Sequence, residues 1–107
     1  MTLPMLAVGA EGVVSVVANL VPREVAAMVE AYRAGRVEEA RRLHARLFPL
    51  SRDLLSLAPN PVPVKTALSL LDRCRGEVRL PLCALDETGQ DVVRRGLVAH
   101  GLLTELA

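Results

Sequence analysis

The sequence predicts a mainly α-helical chain that contains one short β-strand. Along most of the 107 residues, apolar side chains recur at the three- and four-residue spacing of helices. The exception is the run over residues 12–17, in which four valines surround Ser15. Such a short, β-branched and nearly continuous apolar run is typical of a strand buried on both faces. Because one strand cannot form a sheet, we expect the chain to be incomplete as a domain, or its strand to pair with another chain.

The charge balance and the aromatic content argue against a nucleic-acid binder. Thirteen basic and twelve acidic residues leave a net charge of +1, which gives little bulk attraction for a polyanion. The aromatic side chains are Tyr32 and Phe48, so bases would have almost nothing to stack on. We therefore expect no nucleic-acid partner.

The apolar N-terminal stretch and the cysteines also have plain interpretations. Residues 1–22 carry one charge, Glu11, which would lie at mid-span in a membrane at a cost of about 2.5–3.5 kcal/mol. Cys74 and Cys83 fit neither a zinc motif nor a disulfide scaffold, although a bridge between them remains an alternative. We expect a cytoplasmic protein with no membrane partner, no metal and no cofactor.

Glycine and proline delimit the helices predicted in the first part of the chain. Residues 3–8 have the pattern of a helix end, and Gly9 can supply its left-handed cap. A second helix is predicted to begin at Pro22 and to end at Gly35. The residues that share its apolar face are Val25, Met28, Val29 and Tyr32.

The next helix is predicted to begin near Arg36 and to run into Pro49. The residues on its apolar face are Ala40, Leu43, His44, Leu47 and Phe48. Leucines continue this face beyond Pro49. We expect a kink at Pro49, because proline lacks the N–H of one helical hydrogen bond and clashes with the preceding turn.

Proline and capping signals organise the rest of the chain. Residues 59–63 contain three prolines, which predict a rigid connector whose last proline opens a helix over residues 64–71. A final helix is predicted over residues 87–100, with Asp86 as its N-cap and Gly101 as its stop.

Three segments carry a resemblance to a known family. They are residues 12–19 (GVVSVVAN), residues 59–65 (PNPVPVK) and residues 79–82 (RLPL). In order and without large gaps, they resemble the C-terminal third of the dihydrodipicolinate synthases, which are pyruvate-dependent lyases like the N-acetylneuraminate lyases. The proline-rich segment is the most specific of the three and favours the synthases. Val17 departs mildly from the family pattern, in which threonine is common at that position.

The resemblance implies a fold. The family combines a TIM (β/α)8 barrel with a C-terminal helical extension, and such a barrel needs eight strands and about 250 residues. The chain would then be a mainly α, C-terminal fragment of that barrel together with the extension. Residues 1–35 would form the end of the barrel (a helix end, strand eight and helix eight), and residues 36–107 the extension. We expect the two parts to form one compact unit.

The resemblance also implies a function. The family enzyme condenses pyruvate with aspartate semialdehyde in lysine biosynthesis, through a Schiff base on a lysine. Its catalytic lysine, tyrosine and arginine lie on earlier strands and loops and match no position here, so no catalytic residue is expected and the chain alone should be inactive. Val14 corresponds to a residue that lines the pyruvate pocket, and Gly12 and Ser15 flank it.

Partners follow from the same reasoning. We expect a homo-oligomer, and an N-terminal barrel fragment as a second partner. The alternative is a different class of protein, a non-catalytic, self-associating helical module that uses the strand and apolar helix faces as an interface.

Residues with catalytic potential have simpler structural interpretations. Lys65 is the only lysine, but it follows a proline connector at a helix start and does not match the catalytic position, so we interpret it as structural. Tyr32 and His44 lie on apolar helix faces, where packing roles are expected. Ser15 has no partner for a hydrolase triad.

Acidic residues interleave with an arginine-rich face, which predicts a salt-bridged, solvated surface. Its arginines are Arg41, Arg42, Arg46 and Arg52.

Overall fold

The computed structural model describes residues 1–104, and the regular structure within them is entirely helical. In chain order the elements are α1 (Thr2–Ala7), a 3-10 helix (Val17–Asn19), α2 (Pro22–Arg33), α3 (Val37–Ser56), α4 (Val62–Leu70) and α5 (Glu87–Ala99). The chain divides into two compact units: the first is Met1–Phe48 and the second begins at Pro49. The boundary between barrel and extension at residues 35 and 36 remains a prediction.

The first helix and its cap agree with the sequence prediction. α1 covers Thr2–Ala7 and buries Leu6. Gly9 follows with a φ of 105°, and its amide donates to the carbonyl of Leu6 at 3.2 Å. Glycine suits this position because a Cβ would strain a positive φ.

The strand predicted over residues 12–17 is not formed. Residues 10–15 have no regular secondary structure, and Val17 already belongs to the 3-10 helix. The physical reason is that a strand is stabilised by hydrogen bonds to a neighbouring strand, and none exists within residues 1–104. The valine pattern is thus typical of a strand, but a single copy of the chain forms none within residues 1–104.

The second helix agrees with the prediction in its bounds and its face. α2 begins at Pro22, where proline needs no helical hydrogen bond, and buries Val25 and Met28. Tyr32 is half-buried on the same side. Gly35, with a φ of 78°, follows the helix end as expected. α2 contacts α1 and the 3-10 helix.

The third helix continues through Pro49, so the proline is accommodated inside it. Ala40 and Leu47 are buried and His44 is half-buried, in agreement with the predicted apolar face. Phe48 was expected on that face, but half of it is exposed. The bend expected at Pro49 remains a prediction.

In the second unit, α4 packs against α5. α4 carries Pro63 in its first turn and spans Val62–Leu70, close to the predicted bounds. The carboxylate of Asp86 caps α5, since its Oδ1 accepts from the amide of Gly89 at 2.8 Å. Gly101 has a φ of 81° and ends the last helix, as the sequence predicts.

Candidate functional site

The three residues expected to line a pyruvate pocket lie next to each other on an open segment. The side chain of Val14 is fully exposed, and Gly12 has open space around it, since an added Cβ would meet nothing within 4 Å. Ser15 is half-buried. Among the described residues the side chains of Val13 and Val14 are exposed, so a pocket at this segment would need walls from elsewhere.

The backbone of this segment is also unpaired. Among the described residues, the amides of residues 11–16 and the carbonyls of residues 11–14 form no hydrogen bond. The carbonyls that follow are engaged, because Ser15 and Val16 accept from Ala18 at 3.3 Å and Asn19 at 3.1 Å. Unpaired peptide groups beside exposed valines are what the edge of a sheet presents to a neighbouring strand.

The first unit also contains an apolar depression of about 760 Å³. Its lining includes Leu3, Pro4 and Ala7 from α1 together with Tyr32 and His44. The sequence placed Tyr32 and His44 on separate helices, and the structure brings them to one depression. Burial lowers the pKa of His44 below its ordinary value of 6.5, and the positive N-terminus of Met1 lowers it further.

A groove of about 530 Å³ in the second unit surrounds Lys65. The ammonium of Lys65 donates a hydrogen bond to the backbone carbonyl of Glu77, which ties the loop after α4 back to that helix. Pro61, Arg79 and Leu82 line the same groove. The groove thus brings together residues 59–65 and 79–82, two of the three segments that carry the family resemblance. The hydrogen bond of Lys65 is structural, because it holds the loop against α4.

The arginine-rich surface is salt-bridged, as the sequence predicts. Arg41 pairs with Glu38 at 2.8 Å and Arg46 with Glu24 at 3.1 Å. Arg52 pairs with its neighbour Asp53 at 2.8 Å. Such exposed pairs contribute little stability, about 0–1 kcal/mol each, and their carboxylates offset the positive charge that a phosphate would need.

Residues 1–104 lack both a metal-binding cluster and a membrane-spanning helix. Residues 1–104 contain no group of three His, Cys, Asp or Glu side chains that could hold a metal ion. No helix among them is both long and apolar enough to cross a bilayer. Cys74 and Cys83 are exposed free thiols.

Comparison with known proteins identifies the family. Residues 1–100 match the Dihydrodipicolinate synthetase family. The 4-hydroxy-tetrahydrodipicolinate synthase of Geotalea uraniireducens is 47% identical over 102 residues, which are 95% of this chain and 35% of that protein. The structure of the corresponding synthase from Methylacidiphilum fumariolicum superposes with a TM-score of 0.89 at 47% identity, over 92% of this chain and 33% of that one.

A monomeric dihydrodipicolinate synthase variant superposes equally well. Its TM-score is 0.92 at 37% identity, and the match covers 95% of this chain and 34% of that one. The chain belongs to the dihydrodipicolinate synthetase family, and it spans about a third of the length of the relatives that it matches. Family membership is therefore confirmed, as is the mainly helical character expected of the chain within residues 1–104.

Proposed function

We propose that this chain provides the C-terminal third of a 4-hydroxy-tetrahydrodipicolinate synthase-like lyase. Residues 1–35 would complete the barrel as its last strand and helix, and residues 36–107 would form the extension. The first two thirds of the barrel would be supplied by the same polypeptide or by a second one. The complete cytoplasmic enzyme would condense pyruvate with aspartate semialdehyde through a Schiff base, for lysine biosynthesis.

The exposed, unpaired segment carries this proposal. Val13 and Val14 are 40% and 106% exposed, although valine is among the residues most often buried. A strand of a parallel barrel has neighbours on both sides and side chains covered on both faces. Insertion between two barrel strands would pair the free peptide groups and remove both valines from water.

Placing residues 12–17 as the last barrel strand also gives their side chains roles in the pyruvate pocket of the complete enzyme. Val14 would form part of the pyruvate pocket wall, and Gly12 and Ser15 would flank it with little bulk. The lysine that forms the Schiff base would come from the rest of the barrel, because Lys65 is already engaged by the carbonyl of Glu77. The chain alone would therefore bind no pyruvate covalently and show no synthase activity.

The experiment is association with a barrel piece. The chain is mixed with the first two thirds of the Geotalea uraniireducens relative. Light scattering gives the mass of the complex, and titration of the barrel piece with the chain gives its dissociation constant. We expect a one-to-one complex, and we expect Val14→Asp to weaken it at least tenfold, because an unpaired carboxylate is costly to bury.

Val37→Asp is the matched control. Val37 is 44% exposed and opens α3, where an acidic residue interacts favourably with the helix dipole. This variant should bind like the parent chain. The proposal would be contradicted if the chain formed no complex with a folded barrel piece. It would also be contradicted if Val14→Asp and Val37→Asp lost the same amount of affinity for that piece. Self-association without any binding to the barrel piece would favour the alternative, a non-catalytic self-associating module.

A further inference from the structure

We infer that, when no barrel strand occupies it, the segment of residues 12–16 pairs with the same segment of a second copy of this chain. The two copies form an antiparallel, two-stranded ladder centred on Val14. The first observation is the row of free backbone groups: within residues 1–104, the amides of residues 11–16 and the carbonyls of residues 11–14 form no hydrogen bond. Peptide groups in this state are satisfied by water or by a strand that donates and accepts in alternation.

The composition of the segment favours pairing with another β-strand. Residues 12–16 consist of glycine, three valines and a serine, with no charge and no proline. Neutral, β-branched runs without proline are those that associate edge to edge. An identical segment on a second copy has the same free groups and the same exposed valines, so the two are complementary without any further partner.

Charge selects the antiparallel direction. Glu11 flanks the segment, is exposed and forms no ion pair among the described residues. In a parallel, in-register pair, Glu11 would lie beside Glu11 of the second copy, which is destabilising. In an antiparallel pair centred on Val14, the two carboxylates lie six residues apart along the ladder, about 20 Å.

The centre of the ladder follows from the ends of the neutral run whose amides are free, residues 12–16. Glu11 bounds it on one side, and the 3-10 helix that begins at Val17 bounds it on the other. The midpoint of residues 12–16 is Val14, whose side chain is fully exposed. The two-fold axis then places Val14 opposite Val14 of the second copy and Val13 opposite Ser15 of the second copy.

Disulfide trapping tests both the occupant and the register. Val14→Cys is made in a chain in which both exposed native thiols are removed by Cys74→Ser and Cys83→Ser. Under mild oxidation we expect covalent dimers at least tenfold faster than for Val8→Cys in the same background. Val8 is a suitable control because it is 78% exposed and lies outside the segment.

Two further variants separate the directions of pairing. Val13→Cys alone should cross-link slowly, whereas a mixture of Val13→Cys and Ser15→Cys chains should form mixed dimers quickly. Equal rates for Val14→Cys and Val8→Cys would overturn the inference, as would fast cross-linking of Val13→Cys alone or a monomeric mass of the parent chain across a tenfold concentration range. None of these results depends on the barrel piece, so the outcome is distinct from the test of the proposed function.

Discussion

Two neighbouring leucines of α3 allow a sharp test of the packing in the second unit. Leu54 is 1% exposed and Leu55 is 61% exposed, yet both stand in the same helix. Leu54→Ala removes a fully buried side chain and leaves a cavity, which costs about 2–5 kcal/mol. Leu55→Ala removes a side chain that is mostly in water, so we expect less than about 1 kcal/mol. The helix propensity changes equally in both variants and cancels from the comparison.

The difference is measured by urea unfolding followed by far-ultraviolet circular dichroism. We expect Leu54→Ala to be about 3 kcal/mol less stable than Leu55→Ala, with an unchanged dependence of the unfolding free energy on urea. In a domain of this size that difference lowers Tm by about 12–24 °C. If the two variants agree within about 1 kcal/mol, Leu54 is not a core residue and the burial described for its side chain is wrong.

Three further predictions concern a cap, a turn and a histidine. Asp86→Ala removes the acceptor for the amide of Gly89 and should destabilise α5 by about 0.5–2 kcal/mol, whereas Asp86→Asn should retain most of the stability in urea titrations. Gly35→Ala forces a Cβ onto a φ of 78° and should cost about 1–2 kcal/mol, with Gly35→Asn less harmful in the same assay. Because the pKa of His44 is lowered on folding, the native chain binds fewer protons there than the unfolded chain, so stability falls as the pH drops below about 6.5. His44→Gln should reduce this loss of stability at acid pH. Above pH 7 the stability of the variant should depend on its remaining groups. Unfolding midpoints measured at pH 5.5 and pH 8 would test both expectations.

Local signals predicted the helices well. Pro22, Asp86 and Gly101 mark boundaries through backbone geometry and capping, which act within a few residues and need no tertiary information. The face that contains Val25 and Met28 was also predictable, because helical periodicity determines which residues are buried together.

Features that depend on a neighbour were not predictable in the same way. The valines around Ser15 favour a strand, but strand formation requires a second edge, which residues 1–104 do not contain. Periodicity placed Phe48 on a buried face, yet burial depends on what lies opposite, and half of this side chain is exposed. The groove around Lys65 joins segments more than ten residues apart, a pairing that only the fold reveals.

Borohydride reduction in the presence of pyruvate, read by intact mass and peptide mapping, decides whether this chain is one part of a Schiff-base enzyme. The chain alone should acquire no pyruvyl adduct on Lys65, and a mixture with the first two thirds of a relative's barrel should acquire one on a lysine of the barrel piece, accompanied by synthase activity absent from either part alone. An adduct on Lys65 of the chain alone would contradict this account, because the nucleophile would then lie within these 107 residues.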